Sequence, residues 1–251
     1  MSSDFTVEDL GGGITRLMLN RAPVNALTPA FLDALSNFYD SVAIDGSVKA
    51  IIIASGQKVF SGGLDLKAAQ GFDKTDEMEI VRGLNQSFTK LYALPKPTIC
   101  VVNSAAIAGG FFFVLGCDYR IGDNRASMGL AEVRVGATLP EGPAAIARAE
   151  LHSNDLRKLV LNGQPYGAEQ ALAAGILDEV VENQLLMERA LKVAKQYAAL
   201  PPKTYAVVKK QLRADVIDAV AIAMENGANT PEGGWFTDET KPAMAAMVGP
   251  A

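Results

Sequence analysis

Two glycine-containing turns and one glutamate have the residue types and surroundings to do chemistry in this chain. The first turn is Phe60-Ser61-Gly62-Gly63-Leu64-Asp65-Leu66 and the second is Ala108-Gly109-Gly110; each comes after a short apolar run. The second also opens an apolar stretch, Phe111 to Leu115, that reads as a helix. Amides in the first turn of a helix have no partner within it and sit at the positive end of its dipole. Glycine lets a bulky ligand approach the main chain closely. Two such amides converging on one oxygen make an oxyanion hole, although Gly-Gly pairs are more often plain turns. The glutamate is Glu132, in Gly129-Leu130-Ala131-Glu132-Val133, and its neighbours are apolar. No acid lies within the first turn after Gly109-Gly110, where Phe112 stands instead. One base without a paired acid suits moving a proton along a substrate better than adding water across a bond.

The elements that must hold these residues alternate along the chain. Ile14 to Leu19 reads as a strand, and Thr28 caps a helix with Pro29 at its first position. Phe31, Leu32, Leu35, Phe38 and Val42 share one face of that helix. Ala50 to Ala54 and Thr98 to Val102 are short, fully apolar strands of the kind buried on both sides. A helix spans about 75 to 94 and ends at Pro95 and Pro97; a further strand covers Asp118 to Gly122. This order predicts an α/β chain with parallel strands. From about residue 185 the pattern turns helical, with Met187, Ala190, Leu191, Ala194 and Ala198 on one face, a break at Pro201-Pro202 and a helix from about 204 to 225. The expected division is a core over 1–195 and a helical segment over 196–251, packed on the core or on a neighbouring subunit.

Composition narrows the partners. The chain has 251 residues, 49% hydrophobic and 20% charged, which is the balance of an ordinary globular protein with one large core. A net charge of −5 argues against binding nucleic acid, which needs a basic face. Cys100 and Cys117 lack metal or redox spacing and read as buried thiols. A lone His152 excludes a multi-histidine metal site and sits beside a helix start, Ser153-Asn154-Asp155, where a surface role is expected. No apolar run approaches the ~20 residues of a membrane span, and the amino-terminal residues lack an apolar signal, so the expectation is a cytoplasmic protein without membrane contact.

Taken together, Arg21-Ala22-Pro23-Val24-Asn25-Ala26-Leu27, Phe60 to Leu66, Ala106 to Gly110, Cys117-Asp118-Tyr119-Arg120-Ile121 and Gly129 to Glu132, in this order and at these separations, resemble the enoyl-CoA hydratase/isomerase (crotonase) superfamily. Within it the likeness is closest to 3,2-trans-enoyl-CoA isomerases, over roughly residues 10 to 200. The resemblance implies a crotonase-like ββα spiral core with a helical C-terminal trimerisation segment, assembling as a homotrimer or hexamer. It implies that the amides of Leu64 and Gly109 hold the thioester oxygen of an acyl-CoA and that Glu132 carries a proton from the alpha to the gamma carbon. Hydratases of the family place a first glutamate at the position of Phe112. CoA would enter as part of the substrate, with no separate cofactor and no metal. Its contacts would come from Arg21, Val24 and Ala26, from Asp65, Leu66 and Lys67, and from Lys241, a position often supplied by a neighbouring subunit. Gly62, Gly110 and Phe112 would complete the substrate cleft. One departure is Leu139-Pro140-Glu141-Gly142-Pro143: Glu141 is either a solvated loop residue or a second acid, which would reopen hydration of a 2-enoyl-CoA, dehydration of a 3-hydroxyacyl-CoA, or decarboxylation. A protein of this family that has lost catalysis and binds a partner or RNA is the remaining reading, with the acidic charge counting against RNA.

Overall fold

A computed structural model describes residues 4–250. Its main sheet has six strands: β1 (Phe5–Asp9), β2 (Ile14–Leu19), β3 (Ala50–Ser55), β4 (Thr98–Val102), β6 (Tyr119–Gly122) and β9 (Glu179–Val180), in that spatial order. All neighbours run parallel except β1, which pairs antiparallel with β2 from Phe5↔Leu19 to Asp9↔Thr15. A second, three-stranded sheet joins β5 (Ala105–Ile107), β7 (Ser127–Gly129) and β8 (Tyr166–Gly167).

The expected strands form because their alternate residues enter two separate cores. Ile51 and Ile53 of β3 face the larger core, with Phe31, Leu32 and Leu35 of α1 (Pro29–Ile44) and Ile80, Leu84 and Phe88 of α3 (Lys74–Ala93). Ala50, Ile52 and Ala54 face the smaller core, with Leu186, Ala190, Val193 and Ala194 of α8 (Leu186–Ala198). Both faces of the sheet are thus covered, which is why these strands read as continuous apolar runs. Thr28 caps α1, accepting from the Phe31 amide at 3.3 Å. The helix after Gly109-Gly110, α4, is only Phe111–Leu115. A four-residue helix, α2 (Leu66–Ala69), comes directly after the first glycine turn. Cys100 and Cys117 are free and buried, and His152 is exposed at the cap position of α6 (Ser153–Asn162). Among the described residues no helix is long and apolar enough to cross a membrane.

The division at residue 195 falls inside α8, which lies on the sheet and belongs to the core through Ala198. The tail beyond α8 comprises α9 (Pro202–Glu225), an irregular stretch over 226–239, and α10 (Thr240–Val248). Two further helices, α5 (Glu141–Glu150) and α7 (Ala168–Ala173), come before β9. The helix α9 docks by apolar contact and by charge: Val220 is buried and Val216 and Ile217 pack on the larger core, Lys209 and Arg213 are also buried, and Val207, Val208, Leu212 and Ile222 are exposed. Both cations meet Asp118, with Lys209 Nζ at 2.7 Å and Arg213 at 3.0 Å. The same carboxylate accepts from the Thr98 amide and from the Tyr205 hydroxyl. Removing one partner of a buried ion cluster strands the others, so Asp118→Ala is expected to lose about 3–5 kcal/mol in urea unfolding. A loss under ~1 kcal/mol would show that α9 is held by something else.

Candidate active site

The two glycine turns meet. Leu27 donates to the Gly63 carbonyl at 2.7 Å and Asp65 donates back to Leu27 at 3.1 Å, a single parallel bridge between Leu27 and Leu64. In that pairing the Leu64 amide is turned away from Leu27. Ser61 likewise bridges to Ala106, donating to Ala105 and accepting from Ile107, both at 3.0 Å. Gly63 takes φ +78, and a Cβ there would lie 2.7 Å from the Ile107 carbonyl oxygen and 3.2 Å from the Gly109 nitrogen. Only glycine allows this approach. Gly109 is the middle residue of a single 3₁₀ turn, Ala108–Gly110, whose first residue has φ +52. Among the described residues neither the Leu64 nor the Gly109 amide has a hydrogen-bond acceptor. Both residues line one cavity, open to solvent, with about 620 Å³ of empty space.

Glu132 lines the same cavity and is the one residue with an ionisable side chain that does so among those described. It begins a 3₁₀ turn, Glu132–Val135, three residues beyond β7, closed by Gly136 in the left-handed region at φ +64. Its Oε2 is buried without a hydrogen-bond partner. Burial raises its pKa from 4.5 to about 7, partly offset by its own main-chain amide. Phe112 is buried in the cavity wall against Phe88, with ring centroids 5.6 Å apart. Glu141 is the first residue of α5, exposed and absent from the cavity wall, which takes its neighbours Pro140 and Pro143 instead.

A protein-family model described as enoyl-CoA hydratase/isomerase matches residues 9–233. The chain belongs to that family. Among family relatives, the fatty acid oxidation complex subunit alpha of Pseudomonas putida (strain GB-1) is 32% identical over 197 residues, which cover 76% of this chain but only 28% of that protein. The carnitinyl-CoA dehydratase of Shigella flexneri is 30% identical over 203 residues, covering 80% of this chain and 77% of the relative. Two solved structures from Mycobacterium tuberculosis are 28% identical. One is a probable enoyl-CoA hydratase, EchA3 (TM-score 0.81, covering 89% of this chain and 96% of that one). The other is of the same protein, there called an enoyl-CoA isomerase (TM-score 0.82, covering 90% and 98%). Chains this similar thus carry the names of hydratase, dehydratase and isomerase, and the choice rests on the cavity.

Of the remaining expected contacts, two lie on the cavity wall; Arg21, Val24, Ala26, Asp65, Lys67, Gly110 and Lys241 do not. Gly62 and Leu66 line the cavity, and Gly110 packs behind it on Ser61, whose carbonyl oxygen would lie 2.6 Å from a Cβ. Arg21 is half-buried, donating to the Ala26 carbonyl at 2.9 Å and to Asp65 at 3.5 Å. Val24 accepts from the Gly62 amide at 2.8 Å. Asn25, at φ +48, is fully buried and holds the Arg21 amide and the Phe60 carbonyl, both at 2.8 Å. Asp65 caps α2, and Lys67 on that helix is exposed. Lys241 donates to the Phe72 carbonyl at 2.9 Å within the same chain, so here this segment reaches its own α2 region.

Sequence reading missed two residues at the site. Trp235 is buried and lines the cavity, and Met247 of α10 joins it there. The Trp235 and Phe236 amides both donate to one oxygen of Glu77 on α3, at 2.7 and 3.1 Å. Glu77 keeps phase with the buried stripe Ile80, Leu84, Phe88 and Leu91, and an acid on an apolar face was the available signal. The desolvated carboxyl should also leave a mark on stability. A carboxyl whose folded pKa is raised adds stability below pH 4.5 and loses it as pH rises through about 7. Relative to wild type, Glu132→Gln should therefore gain about 2–3 kcal/mol between pH 5 and pH 8.5 in urea unfolding. A pH-independent difference would mean that the carboxyl is hydrated.

Proposed function

We propose that this chain is an acyl-CoA double-bond isomerase that converts a 3-enoyl-CoA to the 2-trans-enoyl-CoA. The observation that carries the reading is Glu132 as the sole ionisable side chain on the described cavity wall. The Glu132 carboxylate takes a proton from C2, and the electron pair moves toward the thioester oxygen to give a dienolate. The amides of Leu64 and Gly109 stabilise that oxygen, each contributing ~10²–10³ in rate. The resulting carboxylic acid returns its proton to C4, so the C3=C4 bond becomes C2=C3 and no water is consumed. A group that must be base and then acid works best with a pKa near the working pH, which suits a carboxyl at about 7.

The second reading, hydration of an enoyl-CoA by Glu132 with Glu141, needs both acids around one water. The exposure of Glu141 and the presence of Phe112 at the wall count against it. In the favoured reading Arg21, Lys67 and Lys241 meet the CoA phosphates, and CoA arrives with the substrate. Assembly as a trimer or hexamer belongs to the same reading, supported by the exposed Val207, Val208, Leu212 and Ile222 of α9.

With 3-hexenoyl-CoA, Glu132→Gln is expected to lose at least ~10³ in kcat, and Glu141→Ala to stay within about threefold of wild type. The kcat/KM of the wild type should fall tenfold per pH unit below about 7, the side on which Glu132 is protonated. Loss of activity in Glu141→Ala, or rapid consumption of crotonyl-CoA that this variant abolishes, would favour hydration.

A further inference from the structure

We infer that Trp235 sets the length of acyl chain this site accepts, and that Glu77 is the positioning residue that keeps it there. The inference rests on the acyl-CoA reading above and goes beyond it to the substrate class: a short, unsubstituted hydrocarbon chain.

The helix α3 provides the ruler. Leu84 lines the cavity beside the thioester end, where a Cβ on Gly109 would lie 3.5 Å from its Cδ2. Glu77 stands seven residues earlier on the same helix and holds the Trp235 and Phe236 amides. Seven residues are roughly 10 Å of helix. With the indole taken as level with the latch that holds its main chain, the ~3.5–4.0 Å contact distance to the ring leaves room for a chain on the order of six carbons. Apart from Glu132 the cavity wall is apolar, Val135, Pro143, Met247 and the indole among its residues, and no other side chain on it can satisfy a hydroxyl or a charge on the acyl group.

The indole is held from several sides. Its Nε1 donates to the Thr138 carbonyl at 3.3 Å. Phe236 stacks on Phe72, centroids 6.3 Å apart at 5°. Thr240, fully buried, donates to the Gly136 carbonyl at 2.6 Å, tying this strap to the turn that carries Glu132. Gly234 is at φ +93, and a Cβ there would lie 2.5 Å from the Glu77 carboxylate, so the strap passes close against its latch.

Calorimetric titration of the full chain with saturated acyl-CoAs from C4 to C12 tests this without depending on which reaction the enzyme goes on to catalyse. Wild type is expected to bind best near C6 and at least ~10-fold more weakly at C12. Trp235→Ala should move the optimum at least two carbons longer while leaving C4 within about threefold. Glu77→Ala should broaden the profile in the same direction, and Glu77→Gln, which keeps an acceptor for both amides, should restore it. Trp235 is the single tryptophan of the chain, so wild-type emission gives a second readout: C6 should shift it and C2 should not. An unchanged length profile in Trp235→Ala, or tight wild-type binding of C12, overturns the inference and leaves the isomerase reading intact. Wild type binding no acyl-CoA of any length overturns both.

Discussion

Ionising a carboxyl that is buried without a hydrogen-bond donor is costly, and Glu132 is placed so that it must bear that cost. The surrounding chain makes the placement possible. A left-handed Gly136 ends its 3₁₀ turn, Thr240 grips that glycine's carbonyl, and the apolar wall leaves water little to bind. A solvated Glu132 would keep an ordinary carboxylate pKa and be a weaker base near neutrality. The raised value makes the same group able to take a proton and to give it back.

In the proposed reaction, the counterpart to Glu132 is built from main chain. The glycine turns and Glu132 all lie beyond the carboxyl ends of parallel strands: residues 61–65 after β3, residues 108–110 after β4 and β5, and Glu132 after β7. Parallel sheets collect binding groups at that end. The contact between Gly63 and Gly109 then brings two unpaired amides to one cavity. Because these donors are main chain, substitution reaches them only through the glycines that set their geometry.

Legibility in the sequence tracked the range of the interactions. Strands β3 and β4 were readable because both of their faces are buried, and α1 because Thr28 and Pro29 mark its start locally. The edge strand β1 was not: only Phe5 packs on the core and the rest is exposed. The short β5, β7 and β8 have too few residues to show a period. Glu132 and the glycine turns stood out through their apolar surroundings and the family likeness. The strap did not, because the Glu77–Trp235 bond joins positions 158 residues apart and leaves no periodic trace. The burial of Lys209 and Arg213 beneath α9 was hidden for the same reason: their partner, Asp118, lies on the opposite side of the chain's midpoint.

A single carboxyl shuttling one proton has a consequence that no two-acid scheme shares. A 3-enoyl-CoA carrying deuterium at C2, turned over in ordinary water and sampled within the first turnovers, should yield 2-enoyl-CoA with part of that deuterium at C4, read by mass spectrometry or NMR. Finding no label at C4 at the earliest times, or finding a 3-hydroxyacyl-CoA as the main product, would contradict the account.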